Sequence, residues 1–315
     1  MIDVVLNVFA KPYQTALSVL SLLRFCEHYI DRIYFQFEPA GSRYDAVPPY
    51  AVASWLGERA VISQPEIWLK RDPVETSRLK DPVYRLAVRY QPAFERTDKQ
   101  YLFIMHNDVL FTKDIIGPML DRIGDAFAIG SIGQCWNCPA SRAELMRDAG
   151  VANAPCSPDN YADCAPDRAG LERLYALARE RNISVRPYWE GWDTHYSETA
   201  WPMPECRVNE WACLVDIQQT RPHTCPNGPV LPFGIFEACG NMRLDTAVAW
   251  FRDLNRLGLR ARNFPLDDYM RHFVGNFRMG RSLYLQAENE ARTLLEKNFR
   301  DFVVWCREKK NGMFS

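Results

Sequence analysis

The residues best suited to chemistry in this chain directly follow a short apolar segment. Tyr101–Met105 is an uninterrupted run of the kind that forms a strand buried on both faces, and His106, Asn107 and Asp108 come next. In open α/β sheets, ligands bind at the carboxyl ends of the strands. A hard divalent cation that bridges two phosphates needs only one or two protein carboxylates. Asp108 is therefore a candidate metal ligand, although Asp also commonly caps turns.

The elements that must position this segment begin with a βαβ unit at the N-terminus. Residues 4–9 are a β-rich apolar run, residues 15–29 carry leucines at helical spacing, and residues 32–38 alternate like a second strand. The crossover between the two strands should be right-handed. Further helices are predicted at residues 84–94, 114–123, 168–182 and 246–257, a further strand at residues 127–132, and one amphipathic C-terminal stretch at residues 282–307.

Between residues 133 and 239 the periodicity weakens, and cysteines stand out. Cys135 and Cys138 form a C-x-x-C, and Cys156 and Cys164 follow in a loop with little apolar content. Four thiolates suit tetrahedral zinc, and such a loop would gain stability from a metal clip. These four residues are the predicted structural zinc ligands, with Cys206 as a substitute. Buried free thiols are the alternative.

The same region concentrates aromatic and acidic side chains. The residues concerned are Tyr188, Trp189, Glu190, Trp192, Asp193, Tyr196, Trp201 and Trp211. Exposed rings beside carboxylates commonly make sugar-binding walls, because ring faces pack on the apolar faces of pyranoses. A small aromatic core under a long loop is the alternative. Cys213, inside an apolar run, is expected to lie in the core.

The order of these features resembles that of the GT-A nucleotide-sugar glycosyltransferases, most closely the family-2-like group. In that class, the N-terminal half binds the nucleotide, and a DxD-type motif ends a central strand. Its last Asp holds Mn²⁺ or Mg²⁺ against the donor diphosphate. By this resemblance Asp108 is the metal ligand, while His106 stands where the family has its first Asp.

A second part of the resemblance lies downstream. Family-2-type enzymes often carry an acid about a dozen positions before a Gly that ends a helix, followed by a short strand and a His. Asp245, Gly258 and His272 follow this order. The resemblance implies that Asp245 is the general base, with Glu237 as the runner-up, and that His272 is a further metal ligand. The usual Glu-Asp pair is here Asp245-Thr246.

Residues on the donor side are also implied by the resemblance. Glu38, at the end of the second strand, would contact the donor ribose or base, with Phe9 and Asn107 nearby. Arg85 and Arg89, one helical turn apart, carry planar guanidinium groups that suit a diphosphate, although they fit a solvated helix face equally well. Lys11 follows the first strand and is a further phosphate candidate.

Composition excludes several classes of protein. The chain has 315 residues, of which 47% are hydrophobic, and the 38 basic and 39 acidic residues leave a formal net charge of −1. That balance argues against a globally basic nucleic-acid-binding protein. No apolar run reaches the roughly 18 residues that span a bilayer, and the N-terminus lacks the basic stretch of a signal peptide. We therefore expect a cytoplasmic protein that is at most peripheral at a membrane. A P-loop and a Gly-x-Gly-x-x-Gly motif are both missing from the sequence.

The sequence thus predicts an α/β protein with a GT-A, Rossmann-like mixed central sheet flanked by helices. Residues 1–280 form the predicted glycosyltransferase domain, residues 133–227 its Cys-rich acceptor-side insertion, and residues 281–315 a C-terminal helical extension. The implied activity is metal-dependent, inverting transfer from a nucleoside-diphosphate sugar to a glycan, polysaccharide or lipid-linked acceptor. The alternatives are a nucleotidyltransferase of similar topology, or a non-catalytic zinc-containing module that binds a glycan or peptide.

Overall fold

A computed structural model describes residues 1–38, 50–69, 72–133, 138–153, 155–161, 167–183, 207–239, 242–273, 281–309 and 313–314. The strands are β1 (Ile2–Val8), β2 (Ile30–Phe37), β3 (Ala60–Ser63), β4 (Tyr101–Met105), β5 (Val109–Phe111), β6 (Ala128–Ile132), β7 (Val208–Asp216), β8 (Glu237–Cys239), β9 (Met242–Leu244), β10 (Ala261–Asn263) and β11 (Met270–His272).

Helices connect and flank these strands. They are α1 (Pro12–Cys26), α2 (Ala51–Leu56), α3 (Pro82–Leu86), α4 (Gln91–Arg96), α5 (Ile116–Ile123), α6 (Ala143–Asp148), α7 (Arg168–Glu180), α8 (Ile217–Thr220), α9 (Val248–Arg256), α10 (Arg281–Asn298) and α11 (Arg300–Glu308). Short 3-10 turns lie at Glu27–Tyr29, Gly57–Arg59, Thr76–Lys80 and Pro139–Ser141. Within the described ranges, no helix has the length and apolar content that a membrane span requires.

The central sheet has seven strands in the order β10-β6-β7-β4-β1-β2-β3. Strand β7 runs antiparallel to both its neighbours, β4 and β6, whereas the other strand pairs are parallel. Strands β5 and β11 form a separate antiparallel pair, and so do β8 and β9. The predicted α/β class, with a mixed central sheet flanked by helices, is confirmed.

Alternating residues of the central strands divide the core into two layers. Val4 and Leu6 of β1 face the layer that contains α1 and the C-terminal helices. Val5 faces the opposite layer, which includes Ile104 of β4 and Trp250 of α9. Both sides of these strands are covered, which explains why their sequences are continuous apolar runs.

The structure corrects three predictions about elements. Residues 84–94 form two short helices, α3 and α4, because Tyr90 takes a left-handed conformation with φ 65° between them. The C-terminal stretch is likewise two helices, α10 and α11, and their buried side chains belong to the main core. The 133–227 segment includes β7 in the middle of the sheet, so it is not external to the fold.

The start of α1 is capped by a residue from the other end of the chain. Lys11, its N-terminal flanking residue, provides no side-chain cap. Glu288 of α10 instead accepts hydrogen bonds from the backbone N–H groups of Tyr13 (3.1 Å) and Gln14 (3.2 Å). A carboxylate at this position satisfies free N–H groups and complements the positive end of the helix dipole. The C-terminal helices therefore stabilise the first helix directly.

We expect Glu288→Ala to lower the free energy of unfolding by about 2 kcal/mol, because two N–H groups lose a buried acceptor. Glu290→Ala is the matched control on the same helix. Glu290 pairs with Arg271 at the surface, and exposed pairs contribute at most about 1 kcal/mol. Urea denaturation of both variants followed by circular dichroism measures the difference. Equal losses would contradict the capping role.

Candidate metal centre and its surroundings

Two segments distant in sequence meet where β4 ends. The chain turns through His106, Asn107 and Asp108 and then enters β5, which pairs with β11 so that His272 lies opposite Val109. The backbone N–H of Phe273 also donates to the carbonyl of Asp108 at 2.8 Å. The β5–β11 ribbon thereby places His272 beside Asp108. The sequence alone showed only the order of these two residues along the chain.

Three potential ligand atoms converge at this point. Nε2 of His272 lies 3.2 Å from Oδ1 of Asp108, and Nδ1 of His106 lies 3.7 Å from the same oxygen. The two imidazole nitrogens are 3.3 Å apart, and a set of one ligand atom from each residue fits within 4.8 Å. Oδ1 is buried and accepts no hydrogen bond of good geometry from the described residues. Three lone pairs directed at one small volume are the arrangement that a cation requires.

The charge of Asp108 is compensated from several sides. Its other carboxylate oxygen, Oδ2, forms an ion pair with Nζ of Lys11. Burial raises the pKa of the Asp108 carboxyl, but Lys11, His272 and His106 outweigh that effect and hold the pKa well below its usual range. Asp108 is therefore a carboxylate at any physiological pH.

Asn107 stabilises the turn between β4 and β5. Its amide nitrogen donates to the carbonyl of Ala10 at 3.3 Å and to Oγ1 of Thr15 at 3.0 Å. These bonds tie the β4–β5 turn to the segment that carries Lys11. The structure thus gives Asn107 a positioning contact, whereas the sequence predicted a donor-binding one.

Strand β7 supplies a second set of charged side chains. Oε1 of Glu210 lies 3.6 Å from Nε2 of His106, and Oε2 of Glu210 lies 2.9 Å from Nη2 of Arg207. Burial raises the pKa of Glu210, but Arg207 and His106 outweigh that effect and bring the pKa below its usual range. The ring of Trp211 stacks on that of His272 with centroids 5.0 Å apart. Sequence reasoning missed Glu210 and Arg207; the available signal was an acid inside an apolar strand.

The two predicted base residues have different surroundings. The carboxyl group of Asp245 is 58% exposed and lies 3.3 Å from Nη2 of Arg207, which connects it to the β7 cluster. Glu237 instead forms a two-pronged ion pair with Arg252, at 2.7 and 3.2 Å. Asp245 is therefore more accessible to an incoming hydroxyl than Glu237, whose side chain is 14% exposed.

The end of β2 borders a pocket that contains Glu38. Its carboxylate accepts from Nε of Arg89 at 2.6 Å, from Nε1 of Trp68 at 2.9 Å and from the amide of Asn7. Phe9 stacks on Trp68 with ring centroids 5.8 Å apart. The pocket lies at the carboxyl ends of β1 and β2, the expected ligand side of the sheet. The structure thus brings Phe9, Glu38 and Arg89 close together; their role in binding a donor stays a prediction.

Arg85 is oriented elsewhere. Its guanidinium binds Glu95 at 2.8 and 3.3 Å and the carbonyl of Leu79 at 3.0 Å. All of these contacts are internal to the α3–α4 region. The structure gives Arg85 a structural ion pair in place of the predicted diphosphate contact. Helix α3 ends at Leu86, and Arg89 lies beyond it in the β-bridge with Gly234, so the two arginines do not share a helix face.

The predicted zinc site is not supported. Cys156 is disulfide-bonded, and a sulfur in a disulfide is not a thiolate ligand. Cys138 is a buried free thiol. Cys135, Cys164 and the substitute Cys206 lie outside the described residues, as does the aromatic stretch from Tyr188 to Trp201. Cys213 lies in the core, as expected.

Comparisons with known proteins were made for the whole chain. No protein-family model matches it, and no curated protein matches it. Among solved structures, the fold is similar to a mannosyltransferase from Pyrobaculum calidifontis in complex with GDP-Man and Mn²⁺, at 9% identity and a TM-score of 0.43, covering 84% of this chain. This chain spans 54% of that protein, about half of its length.

A second similar structure is glucosyl-3-phosphoglycerate synthase from Mycobacterium tuberculosis, solved with Mn²⁺, UDP-glucose and phosphoglyceric acid. It is 12% identical with a TM-score of 0.40, over 94% of this chain and 79% of the synthase. TarS of S. aureus is similar over 42% of this chain and 35% of its own, at 9% identity and a TM-score of 0.30. At such scores and identities, no activity or residue role is transferred to this chain.

The pocket that contains Glu38 depends on a close backbone approach at Gly234. Gly234 pairs with Arg89 in an isolated β-bridge, and a Cβ on Gly234 would lie 2.0 Å from the Arg89 carbonyl. We expect Gly234→Ala to cost about 3 kcal/mol of stability through this clash. Gly150→Ala, at φ +63° with no atom within 4 Å, is the control and should cost about 1 kcal/mol of backbone strain. Thermal and urea unfolding compare the two, and equal costs would contradict the close approach.

Proposed function

We propose that this chain is a metal-dependent glycosyltransferase that moves a sugar from a nucleoside-diphosphate sugar to a hydroxyl acceptor. The observation that carries the proposal is the convergence of His106, Asp108 and His272 at the carboxyl end of β4. This edge of the sheet also holds the Glu38 pocket at the end of β2. A metal centre and a pocket on the ligand side of one sheet suit a substrate that has both a diphosphate and a nucleoside.

The residues present fit a divalent cation. Oδ1 of Asp108 is buried without a good hydrogen-bond donor, and two imidazole nitrogens lie beside it. His106, Asp108 and His272 would hold the ion. Two nitrogens and one carboxylate oxygen favour Mn²⁺ over Mg²⁺, because Mg²⁺ prefers oxygen ligands. When bound, such an ion neutralises charge on the departing nucleoside diphosphate.

The chain's own residues supply the rest of the donor site. Lys11 follows β1 and reaches the opposite oxygen of Asp108, so its ammonium group is next to the position of a metal-bound diphosphate. Glu38, positioned by Arg89 and Trp68, offers carboxylate oxygens that accept hydrogen bonds from ribose hydroxyls or a ring N–H. Phe9 adds an aromatic surface beside them.

Asp245 is the proposed general base. Its carboxylate is 58% exposed and contacts Arg207, which also contacts Glu210, so an acceptor hydroxyl can approach it from solvent. Removal of the hydroxyl proton by Asp245 accompanies attack on the anomeric carbon, and the bond to the nucleoside diphosphate breaks on the opposite face. One such in-line displacement inverts the anomeric configuration. Glu237 is the weaker candidate because its side chain is only 14% exposed and forms a two-pronged pair with Arg252.

The first test is a calorimetric titration of UDP and of GDP, with and without Mn²⁺. We expect metal-dependent binding of one nucleotide to wild type and a loss of at least about tenfold in Asp108→Asn, which keeps the shape but loses a charged ligand. Asp125→Asn is the matched control, since the Asp125 side chain is 97% exposed at the surface. Binding of neither nucleotide by folded wild-type protein would overturn the proposal. Metal-independent ligand binding that survives Asp108→Asn would favour a non-catalytic module.

The second test concerns Asp245. With the sugar nucleotide whose base the titration identifies, we expect Asp245→Asn to lower kcat for release of the nucleoside diphosphate about 100-fold or more. Nucleotide affinity should stay within about twofold, because Asp245 contacts Arg207 and not the metal ligands. Glu237→Gln is the comparison. We expect it to lower the free energy of unfolding, because Arg252 loses its partner, and to leave kcat nearly unchanged. Unchanged kcat in Asp245→Asn would exclude Asp245 as the base. Release of the sugar 1-phosphate, which follows from attack on the α-phosphate, would indicate a nucleotidyltransferase.

A further inference from the structure

The two ring nitrogens of His106 face different groups: one faces the metal centre and the other faces Glu210. Its Nδ1 faces the metal centre, 3.3 Å from Nε2 of His272 and 3.7 Å from Oδ1 of Asp108. Its Nε2 faces away from that centre, toward Oε1 of Glu210 at 3.6 Å. A neutral imidazole carries one proton, and the nitrogen that carries it cannot ligate a metal. The tautomer of His106 therefore decides whether this residue is a ligand.

Glu210 is built into the fold at a defined position relative to His106. It lies on β7, next to β4, and the backbone N–H of His106 donates to the carbonyl of Trp211 at 3.0 Å. Glu210 is 6% exposed, so its carboxylate has little water to interact with. The 3.6 Å separation is within ion-pair range, and a small rotation of the imidazole closes it to a hydrogen bond.

Arg207 holds Glu210 in place. Its Nη2 lies 2.9 Å from Oε2 of Glu210, and its Nη1 donates to Oδ1 of Asn209 at 3.0 Å. Arg207 is itself only 3% exposed. A buried guanidinium and a buried carboxylate neutralise each other, which allows a charge to be kept beside a histidine inside the protein. This leaves Oε1 of Glu210 as the acceptor that faces His106.

We propose that Glu210, held by Arg207, is a positioning residue that keeps the proton of His106 on Nε2 and so presents the lone pair of Nδ1 to the metal. Carboxylates that accept from the distal nitrogen of a ligand histidine are a general device for fixing its tautomer and orientation. The inference rests on the proposed function for its cation. It adds a residue that touches neither the cation nor the substrate.

Glu210→Gln tests this role with almost no change in volume. Arg207 will hold the amide oxygen, since a guanidinium only donates, and the amide NH₂ group will then face His106. An NH₂ donor favours a lone pair on Nε2 and therefore the proton on Nδ1. We expect the variant to reverse the tautomer and to bind Mn²⁺ 10- to 100-fold more weakly than wild type.

Two measurements separate positioning from mere structural support. Long-range ¹H–¹⁵N spectra of metal-free protein with ¹⁵N-labelled histidine report the tautomer, with His106→Gln to identify the signals. Calorimetry with Mn²⁺ alone reports the affinity. Glu95→Gln is the matched control, because it removes a partly buried glutamate from Arg85 in the α3–α4 region. We expect this control to leave both the tautomer and the affinity unchanged.

Each outcome bears on a different statement. A wild-type Nε2–H tautomer that reverses in Glu210→Gln supports the positioning role, even if wild type fails to bind Mn²⁺ and the proposed function falls. An unchanged tautomer and affinity in a folded Glu210→Gln overturns the positioning role while the metal centre stands. If Glu210→Gln does not fold, the paired variant Arg207→Met with Glu210→Met leaves no buried charge unpaired. It should show mixed tautomers and weaker Mn²⁺ binding, and wild-type behaviour in it would overturn the inference.

Discussion

The carboxylate of Asp108 is almost fully removed from water, and much of the chain is arranged to compensate for it. An ionised group in such a position costs several kcal/mol unless opposite charges or hydrogen-bond donors surround it. Lys11 comes from the turn after β1, His106 from the end of β4, and His272 from β11. One buried charge therefore ties the first strand, the central strand and the late β5–β11 ribbon to a single point. That point lies at the sheet edge where α/β folds bind ligands.

The C-terminal helices also help to position Lys11, the partner of Asp108. The hydroxyl of Tyr284 accepts a hydrogen bond from the backbone N–H of Lys11 at 3.2 Å, and Glu288 caps the helix that starts just after it. Lys11 itself takes a left-handed conformation, with φ 59°, which directs the chain sharply from strand into helix. A lysine seldom adopts this conformation without such support. The extension at the end of the sequence thus helps to orient a charged residue near its beginning.

Strand β7 links the proposed metal centre to the proposed base. Because it runs antiparallel between β4 and β6, its first residues lie beside the last residues of β4. Glu210 therefore faces His106, Trp211 stacks on His272, and Arg207 extends the network to Asp245. Contacts from Asp245 through Arg207 and Glu210 to His106 join the proposed base to the proposed metal ligands. Any change in Arg207 would act on both sides at once.

Local pattern was enough to predict the class of the fold and part of the site. The apolar run of β4 followed by His-Asn-Asp predicted a carboxylate at a strand end. Such a prediction is possible because the hydrophobic pattern of neighbouring residues indicates a buried strand and its end. The order of Asp108, Asp245 and His272 also came from sequence alone. Tertiary structure decided three other features of the site. They are the nitrogen of His106 that faces Asp108, the ion pair between Lys11 and Asp108, and the ion pair of Arg85 with Glu95. They depend on distances between residues far apart in the chain, and on the end of α3 at Leu86, which periodicity does not register. Glu210 shows the limit most clearly: in sequence it is one acid in an apolar strand, and only the antiparallel pairing of β7 with β4 places it against a histidine.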